Sequence, residues 1–232
     1  MSADDEKRAA GRRALDFVAD GMVIGLGTGS TAAHFVDAVG EKVAAGWNVT
    51  CVPTSEQTAA QARGLNIPLA TLEEVGHIDV TVDGADEADP QLRLIKGGGG
   101  ALLREKIVAS QSGKMVVISD SSKLVPTLGQ FKLPVEIVPF GAGLTAQVIE
   151  QNIAQFCAPD AVALTFRGGD DADRFVTDGG HFIVDCACQE ITDPEGLADF
   201  LVSVPGVVDH GLFIGLASLI VVGEGTDTRI VD

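Results

Sequence analysis

Residues 22–39 read MVIGLGTGSTAAHFVDAV: a short apolar run, a glycine-rich turn and an amphipathic segment. The run at 22–26 predicts a buried strand, and Ala32, Phe35, Val36, Val39 and Val43 then recur at helical spacing. The same rhythm continues outward. A strand is expected at 49–53, a helix at 56–63, and a β-branched strand at 78–82 that ends on Asp83-Gly84. A strand at 92–95 feeds Lys96 and four glycines, followed by a helix at 102–110 and a strand at 115–119. Upstream, Ala9, Ala10, Ala14, Leu15 and Val18 form a weak helical stripe over 6–18. Alternation of this kind predicts an α/β fold, an open parallel sheet with helices on its faces.

Beyond residue 130 the rhythm changes. Pro134 and Pro139 bracket an apolar run, a helix is expected at 144–156, and strand-like runs follow at 161–166, 174–177 and 181–185. A short helix at 194–202 completes a small α+β unit. The apolar segment 207–222 is expected to return to the first sheet. The domains are therefore drawn as 1–130 with 207–232, and an insertion at 131–206.

Composition narrows the function. Asp plus Glu total 33 against 16 Lys plus Arg, a net charge of −17, and a surface that acidic repels nucleic-acid phosphates. The carboxylates are spread along the chain, with a local concentration at Asp170, Asp171 and Asp173. Dispersed acid with few lysines suggests adaptation to concentrated salt. The first 13 residues are charged and polar, so no signal or transit peptide is expected. No apolar run reaches membrane-spanning length, and the chain reads as cytoplasmic. Cys51, Cys157, Cys186 and Cys188 contain no C-x-x-C pair and read as buried structural residues. The four histidines are scattered, and no metal site is expected.

Four motifs carry chemistry. Gly25-Leu-Gly-Thr-Gly-Ser-Thr-Ala32 joins a strand to a helix, where backbone amides meet the positive end of a helix dipole. From Gly27 it also fits G-x-G-x-x-A, the dinucleotide pattern, but the hydroxyls of Thr28, Ser30 and Thr31 favour a terminal phosphate. Asp83-Gly84-Ala85-Asp86-Glu87 closes a strand, at the sheet edge where open α/β folds bind ligands. Lys96 stands before Gly97, Gly98, Gly99 and Gly100, a cation placed to stabilise an oxyanion, and Glu105 follows in the next helix. Asp120-Ser-Ser-Lys123 adds a further cation after a strand. Each alone is also what an ordinary turn, cap or solvated lysine looks like. Together they suit removal of a proton beside a carbonyl on a phosphorylated substrate.

At this point the sequence resembles the type A ribose-5-phosphate isomerases. GLGTGSTAAHF, TVDGADE, IKGGGGALLREKI, SDSSKLV, LPVEIVPF and PGVVDHGLF occur in that family's order between residues 25 and 213. The resemblance implies a Rossmann-like domain with an inserted ferredoxin-like domain. It implies a homodimer or homotetramer that interconverts ribose 5-phosphate and ribulose 5-phosphate in the pentose phosphate pathway, with no metal or coenzyme. It makes Glu105 the proton-transferring base and carries over Asp83, Asp86 and Lys96 as catalytic partners. The 28–31 loop, Gly84, Ala85, Gly97, Gly98, Gly99 and Lys123 become substrate contacts, and Lys7 matches a phosphate-reaching lysine.

The chemistry fits that reading. One carboxylate beside both carbons can move a proton from C2 to C1 through an enediolate. A nicotinamide-dependent dehydrogenase explains the glycine loop but neither DGAD nor KGGGG, and nicotinamide absorbance discriminates it. A sugar-phosphate sensor would bind without turnover.

Overall fold

Ser2 and Asp5 cap each other: the Asp5 N–H donates to Ser2 Oγ (3.3 Å) and the Ser2 N–H to Asp5 Oδ2 (2.9 Å). This capping box starts helix α1 (Ala3–Arg13) ahead of the apolar stripe expected at 6–18. The computed structural model describes residues 2–158, 162–169 and 173–232.

After α1 come β1 (Val23–Leu26), α2 (Ser30–Ala44), β2 (Thr50–Pro53), α3 (Glu56–Gly64), α4 (Leu72–Val75) and β3 (Val80–Gly84). Next are β4 (Glu87–Ala88), β5 (Leu94–Ile95), α5 (Leu102–Ser110), β6 (Met115–Asp120), β7 (Leu133–Ile137), α6 (Ala142–Ile153) and β8 (Leu164–Phe166). The chain closes with β9 (Phe182–Cys186), α7 (Pro194–Ser203), β10 (Val207–His210), β11 (Leu212–Phe213), β12 (Ala217–Glu224) and β13 (Asp227–Val231). Two compact units result: Met1–Ala85 with Arg104–Lys123 and Gly215–Asp232, and Asp86–Leu103 with Leu124–Ile214.

The first unit holds a six-stranded sheet in the order β13-β12-β6-β3-β1-β2. All its pairings are parallel except β12 with β13. Its inner strands are largely buried on both faces, and every residue of β6 is buried, as parallel sheets require. Of the predicted α2 stripe, Ala32, Phe35, Val36 and Val39 are buried, and Val43 packs against their cluster. Burial of each large apolar side chain contributes about 1.5–3 kcal/mol. The exposed Arg12–Glu41 and Arg8–Asp4 ion pairs add little beside that. The strand order reverses at β1, so β1 and β3 flank the topological switch point, and their carboxyl ends are where such sheets bind ligands.

The second unit carries β7, α6, β8, β9, α7 and β10 in ferredoxin-like β-α-β-β-α-β succession. Its four-stranded antiparallel sheet has the order β10-β7-β9-β8. A separate three-stranded sheet, β11-β5-β4, is also antiparallel.

Several expectations need correction. The run at 207–222 is not one returning strand. β10 pairs with β7, β11 with β5, and only β12 joins the six-stranded sheet. Breaks at Gly211 and at Gly215 (φ 68°) divide it. The strand at 92–95 shrinks to β5 and leaves the parallel sheet, because the chain reverses just before it. The Asp89 carboxylate accepts from the Gln91 and Arg93 N–H groups (2.9 and 3.0 Å), and Leu92 takes φ 59°. Residues 174–177 contribute only a bridge, Val176 to Phe182. The division at 130/131 and 206/207 follows sequence motifs. Packing instead groups 86–103, 124–130 and 207–214 with the inserted unit, since β4, β5, β10 and β11 pair there. Asp170, Asp171 and the start of the strand expected at 161–166 lie outside the described residues. Among the described residues no helix is long and apolar enough to cross a membrane. The four cysteines are free and buried, and burial pushes the Cys51 thiol up to about 12 and that of Cys186 higher still. These two thiols are structural.

Candidate active site

In the first unit the site grows from the turn between β1 and α2. The Gly27 N–H donates to Val82 O (3.0 Å), which draws this turn against the end of β3. A Cβ on Gly27 would lie 2.1 Å from Asp83 Oδ1, so only glycine permits the approach. The Asp83 carboxylate, 0% exposed, accepts from the N–H groups of Thr28 (3.1 Å) and Gly84 (2.7 Å) through Oδ1. Gly29, at φ 115°, turns the chain into α2, and no side chain caps that helix. The first amides of α2, from Ser30 and Thr31, have no partner within the helix, an arrangement that suits an anion.

Lys7 belongs to this loop in space. Its Nζ donates to Ser30 Oγ (3.1 Å), so the loosely matched lysine meets the predicted phosphate turn. Glu6 beside it ties three segments together. Its carboxylate accepts from the Ser121 N–H (3.1 Å), the Ser121 hydroxyl (3.0 Å) and the Gly225 N–H (3.3 Å). Those bonds, the Ser121 N–H first, hold its carboxyl below the usual carboxylate range. Ser121 opens the turn that ends in Lys123, so one glutamate fixes both α1 and the Lys123 segment. The Lys123 side chain makes no hydrogen bond or ion pair among the described residues.

The Thr28 hydroxyl has partners of its own in the first unit. It donates to Ser55 Oγ (2.8 Å) and lies 2.7 and 3.1 Å from the hydroxyls of Thr54 and Thr58. Thr58 in turn donates to Gly27 O (3.0 Å). These bonds brace the loop against the segment 54–58. Glu105, in the first turn of α5, is only 3% exposed.

In the second unit, the Gly98 N–H donates to Asp86 Oδ2 (2.7 Å), and a Cβ on Gly98 would lie 2.6 Å from Asp86 Oδ1. Asp86 thus seats on the glycine turn, of which Gly98 and Gly99 are exposed. Lys96 follows β5 and is 2% exposed, with Nζ 5.4 Å from the Phe213 ring centroid. Sequence reasoning missed Arg167, which donates to Gly97 O (2.7 Å) and Gly98 O (3.2 Å).

Asp83, Lys96 and Glu105 are charged residue types at 0–3% exposure. Burying a charge costs several kcal/mol even after relaxation, a cost that apolar residues would avoid and that functional sites tolerate. In the first unit alone, a glycine-rich turn at the switch point of an open α/β sheet and the buried Asp83 and Glu105 are the setting in which phosphate-handling enzymes of this fold place their chemistry.

The model of the family "Ribose 5-phosphate isomerase A (phosphoriboisomerase A)" matches residues 50–227. Ribose-5-phosphate isomerase A of Bradyrhizobium diazoefficiens is 56% identical over 234 residues, covering 100% of this chain and 97% of that one. That of Parvibaculum lavamentivorans is 55% identical, with 100% of both chains covered. Among solved structures, a D-ribose-5-phosphate isomerase in complex with phospho-erythronic acid superposes with a TM-score of 0.91 at 39% identity, covering 100% of both chains. Ribose 5-phosphate isomerase A from Methanocaldococcus jannaschii gives 0.90 at 35% identity, again with 100% of both chains covered. The chain belongs to the ribose 5-phosphate isomerase A family.

Proposed function

We propose that this chain interconverts ribose 5-phosphate and ribulose 5-phosphate, with Glu105 moving the proton between C2 and C1. The burial of Glu105 carries this reading, because a carboxylate 3% exposed in the first turn of a helix does more than complement a dipole. The turn at 28–31, with Lys7 and Lys123, holds the phosphate and fixes C1 and C2 beside the base. Asp83 and Asp86 exchange protons with the sugar oxygens and assist ring opening. Lys96 and the amides of the 97–99 turn stabilise the enediolate oxygens. Gly84 and Ala85 supply the backbone between the two aspartates. No metal or coenzyme takes part, so chelator-treated protein should convert ribose 5-phosphate to a ketose. Activity lost on chelation and restored by one metal would contradict this.

The same reading places the enzyme in the cytoplasm as an assembly of identical chains. Phe140 is 94% exposed and Leu144 71%, and with Val148 they form an apolar stripe spaced by four residues along α6 and its start. A homodimer or homotetramer would cover it.

Net charge supports adaptation to salt. With 33 acids against 16 bases, surface repulsion destabilises the compact state at low ionic strength and repels a dianionic substrate. At 1 M salt the screening length falls to about 3 Å, and both penalties largely vanish. The melting temperature is expected to rise across a potassium chloride series into the molar range, with kcat/KM following it. A flat or falling melting temperature rejects the salt-adapted reading and leaves the isomerase reading intact.

A further inference from the structure

Arg167 follows β8 on the second unit, and its backbone is fixed by the N–H donating to Ile183 O (2.9 Å). Asp185, on β9, grips the guanidinium from one side: Nε donates to Oδ2 (3.0 Å) and Nη2 to Oδ1. The pair is largely buried, with side chains 17% and 16% exposed. Nη1 then reaches the carbonyls of Gly97 and Gly98. Phe175 closes the turn from another direction, since a Cβ on Gly100 would lie 2.4 Å from its ring.

A peptide unit is planar and trans, so its carbonyl and N–H point in opposite directions. The Gly97 carbonyl shares its peptide with the Gly98 N–H, which donates to Asp86 Oδ2 (2.7 Å). The Gly98 carbonyl shares its peptide with the Gly99 N–H, which makes no hydrogen bond within the described residues. A cation on both carbonyls therefore aims two amides, one at Asp86 and one outward. It also polarises both amides as donors, because hydrogen bonds in series strengthen one another.

We infer that Arg167, held by Asp185, is a positioning residue for the isomerisation: it orients the Gly99 amide that receives an enediolate oxygen and, through the Gly98 amide, sets the place of Asp86. The inference rests on the isomerase reading above. The turn's glycines lack side chains that could fix their peptide planes; the Gly100 N–H holds the Gly97 carbonyl (2.9 Å), and Arg167 adds a restraint on both carbonyls from a distant part of the chain.

Donors aimed at a developing oxyanion act in the transition state more than in substrate binding. Arg167→Ala is therefore expected to lower kcat roughly 10–100-fold and to move KM less than about threefold. Phospho-erythronic acid carries a planar carboxylate where the enediolate carries its charge. Its inhibition constant should weaken in proportion to kcat/KM. Guanidinium ion added to Arg167→Ala should restore part of the lost kcat, and Arg167→Lys should fall between the two. Asp185→Asn keeps Arg167 and loosens its grip, so it should show a smaller loss of the same kind even if Arg167→Ala does not fold. Wild-type kcat in Arg167→Ala, or in Asp185→Asn should the first be unfolded, overturns the inference. So does a loss of kcat that leaves phospho-erythronic acid affinity unchanged. Failure of the wild-type protein to isomerise ribose 5-phosphate would instead overturn the underlying functional reading.

Discussion

Glu105→Gln is expected to lower kcat by roughly 10²–10⁴-fold while KM changes little. The amide matches the carboxylate in shape, so the helix and its neighbours keep their packing, but it cannot accept a proton from carbon at neutral pH. On the function proposed above, phosphate binding falls to the 28–31 turn and Lys7, whose Nζ–Ser30 bond the substitution does not touch. Loss in kcat alone is therefore the signature of the base. A cooperative melt in the variant would exclude unfolding as the cause. Steady-state kinetics with ribose 5-phosphate checks the prediction, and near-normal turnover would remove Glu105 from the mechanism.

Gly27→Ala is expected to lower kcat/KM at least about 100-fold and the melting temperature by several degrees. The new Cβ would sit 2.1 Å from Asp83 Oδ1 and 2.6 Å from Asp83 Cα. A rotamer change could move the carboxylate oxygen, but not the backbone atom. The ends of β1 and β3 must therefore part, which breaks the Thr28 N–H bond to Asp83 and disturbs the 28–31 turn. Overpacking of this sort costs about 1–3 kcal/mol, and each kcal/mol shifts the melting temperature by about 2–4 °C at this chain length. Gly64→Ala is the control. It ends α3, nothing lies within 4 Å of the added Cβ, and stability should hold or rise slightly. Calorimetry on both variants, with activity, tests the contrast. A wild-type melt and rate in Gly27→Ala would show that the two strand ends are not packed as described.

What the sequence reveals depends on whether physics writes it locally. The parallel sheet was legible because its strands are buried on both faces and its helices bury one stripe, as α2 does. The segment 207–222 was not, because a short apolar strand looks the same whichever sheet it joins. β13 was missed for the opposite reason: Asp227, Thr228 and Arg229 lie on an edge strand with no residue fully buried.

The site divides in the same way. Asp83, Asp86, Lys96 and Glu105 stand in compact motifs whose residue types announce charge chemistry. The residues that brace them do not. Glu6 reaches Ser121 across 115 positions, and Arg167 reaches Gly97 across 70, so no spacing encodes either contact. Thr28 was read for its hydroxyl, and no spacing encodes the bond from that hydroxyl to Ser55 at the N-cap of α3.

Transfer of a carbon-bound proton by Glu105 is the central claim, and exchange with solvent tests it most directly. Wild-type protein and ribose 5-phosphate equilibrated in heavy water over many turnovers should accumulate carbon-bound deuterium in the sugar-phosphate pool. A base that releases its proton even occasionally labels the pool given enough cycles, while a hydride shift between C2 and C1 never does. Nuclear magnetic resonance of the pool reads the label at both carbons. The account predicts deuterium there with the wild-type protein, and labelling slowed in step with kcat by Glu105→Gln. A pool fully equilibrated between aldose and ketose, yet free of carbon-bound deuterium, would contradict it.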